Sequence, residues 1–216
     1  MQRRILKHDA FGEIALVERE GTRLIRRDLT RARLWLRPVA RYVAGREARA
    51  LRALDGVDGV PRLLGWDGRA LDRSYIAGRA MQEGAPPALP YFRAARALLH
   101  ALHARGVVHN DLAKEPNWLI RPDGSPAVVD FQLAIFGAPR GRFQRLLARE
   151  DLRHLLKHKR HYHPGAITPV ERRLLSRPSW LRRAWFASGK RVYRWVTRRL
   201  LRWEDNEGRG VRTPRS

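Results

Sequence analysis

Apolar positions along this chain recur at two spacings, and the switch between them marks its organisation. Near the N-terminus they alternate. Ile5-Leu6 and Ile14 to Val17 flank Phe11-Gly12, and Glu20-Gly21-Thr22 reads as a tight turn before a third run, Arg23 to Leu29. This predicts strand, turn, strand, turn, strand. From Arg31 to Leu54 the spacing is helical, with Val43, Glu47, Ala50, Leu51 and Leu54 recurring and a break expected near Pro38 and Gly45. Val60 to Gly65 and Ala70 to Ile76 return to strand character around Trp66-Asp67-Gly68, and the Pro-rich stretch Gly84 to Pro90 follows. Tyr91 to Arg105 predicts a helix with Phe92, Ala95, Leu98, Leu99 and Leu102 on one side and Gly106 as its C-cap. Two short apolar runs, Trp118 to Ile120 and Ala127 to Val129, are joined by Pro122, Asp123, Gly124, Ser125 and Pro126, which predicts a hairpin. Phe143 to His158 is again helical.

Composition adds limits. The 216 residues suffice for one or two domains with a real core. With 44% apolar and 31% charged residues, the body is expected to be globular. There are no cysteines, so disulfide and thiolate-zinc scaffolds are excluded, in keeping with a reducing compartment. No apolar run approaches the roughly 20 residues of a membrane span, and the N-terminus does not read as a secretory signal. The net charge of +24 arises from 45 Lys and Arg against 21 Asp and Glu. Such a field attracts polyanions: nucleic acid, anionic lipid or phosphorylated glycans.

The candidate chemistry gathers at the mouths of the predicted hairpin. His109, Asp111, Lys114 and Asn117 precede it and Asp130 follows it. Two carboxylates and an amide at one end of a rigid element can hold a divalent cation and orient a hydroxyl. The competing reading of Asp111 and Asp130 is helix capping and turn formation.

The segment HNDLAKEPN resembles the catalytic loop of the protein-kinase superfamily, and VVDFQLA resembles its Asp-Phe-Gly segment, with thirteen residues from Asn117 to Asp130. The short length and the Asp-Phe-Gln triplet look most like the bacterial lipopolysaccharide-core (Kdo) kinase and RIO-type branch, over roughly Leu6 to His163. The resemblance implies an α+β, bilobal protein-kinase-like fold: a small β-rich N-lobe over 1–78 and a reduced helical C-lobe over 79–163. A basic helical tail over 164–203 and a disordered end over 204–216 complete the expected division. It implies ATP and Mg²⁺ as cofactors. Asp111 would take or orient the proton of an attacking hydroxyl, Lys114 would neutralise the transferred phosphoryl, and His109 would brace the loop. Asn117 and Asp130 would hold the metal. Gly12 would lie in the phosphate-covering turn, and Ile14 and Tyr75 would flank the adenine. Glu47 would pair with a cation that grips phosphate.

The chain departs from the family pattern at four places. Gly12 is the only glycine of its turn. The strand that should carry a lysine offers Arg26 or Arg27, which keeps the charge with a different geometry. Asp111 and Asn117 stand six apart, where protein kinases have five. Gln132 replaces a glycine, which lowers the freedom of that segment to flip.

Trp180 to Trp203 carries four of the seven tryptophans, and Leu181 to Arg202 has eight basic residues and no acidic one. An apolar, Trp-bearing arc opposite a basic face is the composition of an interfacial helix on anionic lipid. Packing on the C-lobe and RNA binding are the alternatives. His154, His158, His161 and His163 cluster with Lys157, Lys159 and Arg160, which reads as a solvated basic face. The expectation is a monomeric ATP-dependent kinase, cytoplasmic and peripheral at the inner membrane, acting on a hydroxyl of a lipid-linked core sugar. A RIO-like protein serine/threonine kinase with a protein or RNA partner, and a catalytically weak pseudokinase adaptor, are the other readings.

Overall fold

Alternation at the N-terminus builds a five-stranded antiparallel sheet from β1 (Gln2–Asp9), β2 (Gly12–Arg19), β3 (Thr22–Asp28), β4 (Leu63–Trp66) and β5 (Ala70–Ser74), in the order β1-β2-β3-β5-β4. The structure is a computed structural model and describes residues 2–19, 21–137 and 141–176. Apart from Ser176 these belong to the first of the chain's two units, Met1–Leu175 and Ser176–Ser216. The expected helix over Trp180 to Trp203 and the expected disordered end lie outside the described residues.

The register fixes which side chains share a face. Ile14 opposes Arg27 and Leu16 opposes Ile25, while Ile25 opposes Arg73 and Arg27 opposes Leu71. Directly opposed residues project to the same side of a pleated sheet. Ile14, Leu16, Ile25, Arg27, Leu71 and Arg73 therefore form one face. Ala15, Val17, Leu24, Arg26 and Asp72 form the other.

Helix α1 (Arg37–Ala53) crosses the first of these faces and buries Ala40, Ala44, Glu47, Ala48, Ala50 and Leu51. The expected break does not occur. Pro38 lies in the first turn, where a missing N–H costs nothing. Gly45 sits mid-helix, where an added Cβ would come within 3.6 Å of the Trp66 ring. A short 3₁₀ turn, Leu34–Leu36, precedes the helix.

The chain leaves the sheet past Gly78, whose backbone runs so close to the Ile120 carbonyl that a Cβ would clash at 2.9 Å. β6 (Arg79–Ala80) then pairs with the hairpin β8 (Trp118–Ile120) and β9 (Pro126–Val128). The hairpin forms as the sequence predicts, with its second strand one residue earlier. Between them lie α2 (Leu89–Ala104) and β7 (Val107–Val108), which pairs with β10 (Ile135–Phe136). α3 (Arg142–Tyr162) and α4 (Pro169–Ser176) follow. The main core joins the end of α1 (Ala50, Leu51, Leu54) to α2, Leu112, Trp118, Val128, Phe131 and Leu155. The catalytic-loop candidates thus rest on the largest hydrophobic cluster among the described residues.

Candidate active site

The stretch from His109 to Asn117 is a loop with no regular ladder of its own, so its shape depends on side chains from elsewhere. One carboxylate supplies most of that support. Asp151 of α3 accepts hydrogen bonds from the backbone N–H of His109 (2.9 Å) and of Asn110 (3.0 Å), and lies 3.1 Å from His103 Nε2. Asn110 takes a left-handed backbone (φ 64°), a conformation asparagine tolerates better than most residues. His109 is fully buried. Its Nε2 lies 3.0 Å from the Val129 carbonyl and its ring tilts against Phe131 at 4.6 Å. Burial lowers its pKa, so it is a neutral donor tying the loop to the segment that carries Asp130. It cannot reach a substrate, and its part is positioning.

Asp111 is half-buried and directed by two neighbours. Lys114 Nζ lies 3.1 Å from its Oδ2, and Asn117 Nδ2 donates to its carbonyl (2.9 Å) and to Oδ2 (3.2 Å). The residue added between Asp111 and Asn117 is accommodated by a 3₁₀ turn, Glu115–Asn117, with Pro116 inside it. Glu115 accepts from the Tyr162 hydroxyl (2.9 Å), and His158 Nε2 lies 2.9 Å from the Leu112 carbonyl. The wider turn is thereby fastened to α3. The Val129 N–H donates to the Asn117 carbonyl (3.0 Å), which sets Asn117 beside the start of the Asp130 segment.

Asp130 is itself left-handed (φ 70°) and caps the 3₁₀ turn Phe131–Leu133. Its Oδ1 is buried and has no hydrogen-bond partner. A buried, unsatisfied carboxylate oxygen costs free energy unless something compensates it. Among the described residues no three His, Asp or Glu side chains form a metal cage. Asn117 and Asp130 nevertheless fit Mg²⁺, which takes one or two protein oxygens and completes its shell with phosphate and water oxygens. The orphaned Asp130 oxygen is the observation that supports the fit.

Above Asp130, on the sheet face that looks toward α1, stand Arg27 and Arg73. Arg73 forms an ion pair with the fully buried Glu47. Burial lowers the Arg73 pKa to about 10; the Asp130 carboxylate opposes this and the nearby Arg27 adds to it. Burial lowers Arg27 as well, against the attraction of Asp130 and Asp9. Arg26 points to the opposite face, where it lies 3.7 Å from Asp72. Of the two arginines expected to replace the lysine, Arg26 and Arg27, only Arg27 shares a face with Arg73, and the partner of Glu47 comes from β5. Sequence reading missed Arg73. Its signal is a charged residue in register with Leu71 on the buried side of a strand.

Gly12 (φ 127°) closes the β1–β2 turn, where a side chain would strike the Asp28 carbonyl. That steric demand explains a glycine without reference to phosphate. Ile14 is half-buried on the α1-facing side, and Tyr75, partly exposed, directly follows β5. The histidines of α3 do not form a solvated face. His158 is buried, and His154 is held near pKa 4 by burial and by the nearby Lys157. His163 Nε2 lies 2.7 Å from the Pro87 carbonyl.

No match is found among curated proteins. Among solved structures, the Rio2 kinase from Chaetomium thermophilum superposes with a TM-score of 0.58 at 20% sequence identity, over 80% of this chain and 61% of that one. The chain thus spans about three fifths of the length of that structure, and the likeness is one of fold. The model of the APH phosphotransferase enzyme family matches residues 13–153, from the second strand into α3, just past Asp151. With a protein-kinase-like fold and a family match across more than half its length, the chain belongs to the APH phosphotransferase enzyme family.

Proposed function

We propose that the protein transfers the γ-phosphoryl group of ATP to a hydroxyl of a lipid-linked core sugar at a membrane surface. The observation that carries the transfer is the convergence of Asp111, Asn117 and Asp130. Asn117 is hydrogen-bonded to Asp111, and its carbonyl holds the backbone of the Asp130 segment. The chemistry this supports is mostly positioning and charge neutralisation. The acceptor oxygen bonds to the γ-phosphorus, the bond from that phosphorus to the bridging oxygen breaks, and ADP departs with the electron pair. Asp111 orients the hydroxyl and takes its proton. Lys114, beside Asp111, meets the charge on the transferred group. Arg27 and Arg73 present two cations on the side of the sheet that faces Asp130. Mg²⁺ held by Asn117 and Asp130 would screen the phosphate oxygens.

The sugar acceptor rests on the resemblance to lipopolysaccharide-core kinases and on the strong positive charge, which suits phosphorylated glycans and anionic lipid. The test is transfer from γ-labelled ATP to separated lipid, glycan and protein fractions, with Asp111→Asn as control. Label in a lipid-linked glycan that vanishes in the variant is the expected result. Label confined to protein would move the reading to a RIO-like serine/threonine kinase, and no transfer to any fraction would leave a pseudokinase.

A further inference from the structure

The approach to α1 carries a run of side chains that the catalytic reading does not use. Leu34, Trp35, Val39 and Tyr42 are 75%, 53%, 48% and 64% exposed, four large apolar groups within nine positions. Buried residues of the same stretch (Leu36, Ala40, Ala44) face the sheet, so the exposed ones occupy the outward side of the turn and helix. Scattered exposed apolar residues are ordinary; a contiguous patch is not.

The patch does not end at Tyr42. The Arg46 guanidinium stands 5.8 Å from the Tyr42 ring centre and donates to the carbonyls of Ala134 (2.5 Å) and Leu133 (3.4 Å). Leu133, 44% exposed, lies three residues after Asp130, and its carbonyl also receives Asn110 Nδ2 at 3.4 Å. Arg46 therefore links the apolar ridge, which spans Leu34 to Tyr42, to the segment that follows Asp130.

Its flanks are cationic. Between Leu29 and Arg46 stand Arg31, Arg33, Arg37, Arg41 and Arg46, with no acidic residue. A cavity of about 220 Å³ at the foot of the ridge is lined by Leu29, Thr30, Arg37, Arg41 and Arg69. The Arg37 guanidinium donates to the carbonyls of Thr30 and Ala32, which fixes it there with donors to spare. Three guanidinium-bearing side chains with no carboxylate among the lining residues suit a phosphate monoanion.

We infer that this ridge is a membrane-docking surface for anionic phospholipid. Leu34, Trp35, Val39 and Tyr42 enter the headgroup–acyl boundary, and a lipid phosphate sits in the cavity lined by Arg37, Arg41 and Arg69. Aromatic and aliphatic groups with arginine flanks are the composition that interfacial elements use. A nucleic acid would meet the arginines but leave four apolar side chains in water, and an acidic protein has no need of a bare phosphate seat. The surface borders Leu133, so docking brings the Asp111–Asp130 mouth to the bilayer. The inference deepens the lipid-linked acceptor reading. Its test reads position and not phosphate transfer, so either can fail alone.

The chain has no cysteine, so a single introduced thiol labels uniquely. Full-length Val39→Cys carrying an environment-sensitive fluorophore is titrated with vesicles of phosphatidylglycerol and phosphatidylcholine, and with phosphatidylcholine alone. Ala97→Cys, exposed on α2, serves as the control. Expected are a blue shift at position 39 on anionic vesicles only, quenching by nitroxide lipid, and no change at position 97. Arg41→Glu with Arg69→Glu should weaken vesicle binding at least about tenfold. Trp35→Ala with Tyr42→Ala should weaken the part that survives high salt, with transfer to a soluble acceptor unchanged. A protein that sediments with anionic vesicles while the position-39 probe stays unshifted would overturn the inference. So would a probe that responds to RNA or to an acidic protein and not to lipid.

Discussion

Arg73 of β5 holds Glu47 of α1, and no arginine of β3 does so. The strand exchange follows from register: Arg73 opposes Ile25 on the face that α1 covers, two residues along from Leu71 opposite Arg27. Arg27 is thereby released from the glutamate and left facing Asp130.

Glu47 is fully buried and Arg73 mostly so, so removing the arginine strands a buried carboxylate. Arg73→Ala should destabilise the protein by about 3 to 5 kcal/mol, the range for breaking a buried ion pair. Glu47→Leu combined with Arg73→Leu should recover most of that loss, because well-packed apolar pairs replace buried ions at little cost. Denaturant unfolding measures both effects. Turnover is the separate readout: the double variant should fold yet transfer phosphate poorly.

Arg26 and Arg27 separate by face. Arg27→Ala should raise the Michaelis constant for ATP and lower turnover, and Arg27→Lys should restore part of both. Arg26→Ala should leave ATP kinetics within about threefold, since its partner Asp72 lies on the other side of the sheet. Equal effects of the two substitutions would remove Arg27 from phosphate binding.

Asp151 positions the loop without touching substrate. Asp151→Ala leaves the buried His109 N–H without its acceptor, at roughly 1 to 3 kcal/mol, and frees the part-buried Asn110 N–H at smaller cost. Turnover should fall by at least tenfold while nucleotide affinity changes less, since Arg27 and Arg73 are set by β3 and β5. Asp151→Asn should retain part of the activity by offering one acceptor oxygen. Steady-state kinetics with separate nucleotide titration distinguishes these outcomes.

Much of the candidate site's geometry was legible because its signals are local. His109, Asp111, Asn117 and Asp130 announce themselves by spacing around a hairpin whose turn residues are unmistakable. The N-terminal strands were legible from alternation. What escaped depends on tertiary register. Arg73 looks like any strand arginine until β3 and β5 are paired. Asp151 is one of two adjacent acids in a basic helix, and nothing in its neighbourhood tells that it, and not Glu150, will meet the loop more than forty residues earlier. The histidines of α3 read as a surface cluster because helical projection alone cannot say which side is covered. His158 in fact turns toward the Leu112 carbonyl. Pro38 was misjudged as a break because proline also starts helices.

The same histidines contribute to the loss of stability in acid. His154 is held near pKa 4, first by burial and then by Lys157, His158 and Arg153, with Asp151 opposing. An unfolded chain offers this imidazole at about 6.5. Between these values the unfolded state binds the proton and the folded state does not, so stability falls as pH drops from about 6.5 to 4 and levels below. His109, also lowered by burial, acts in the same direction. Above pH 7 both states are neutral at these positions and neither residue contributes a slope. His154→Gln should therefore flatten part of the decline between pH 6.5 and 4 while leaving stability near pH 7.5 little altered. Urea unfolding midpoints at half-unit pH steps measure it. A variant whose acid limb overlays that of the wild type would place the titration elsewhere.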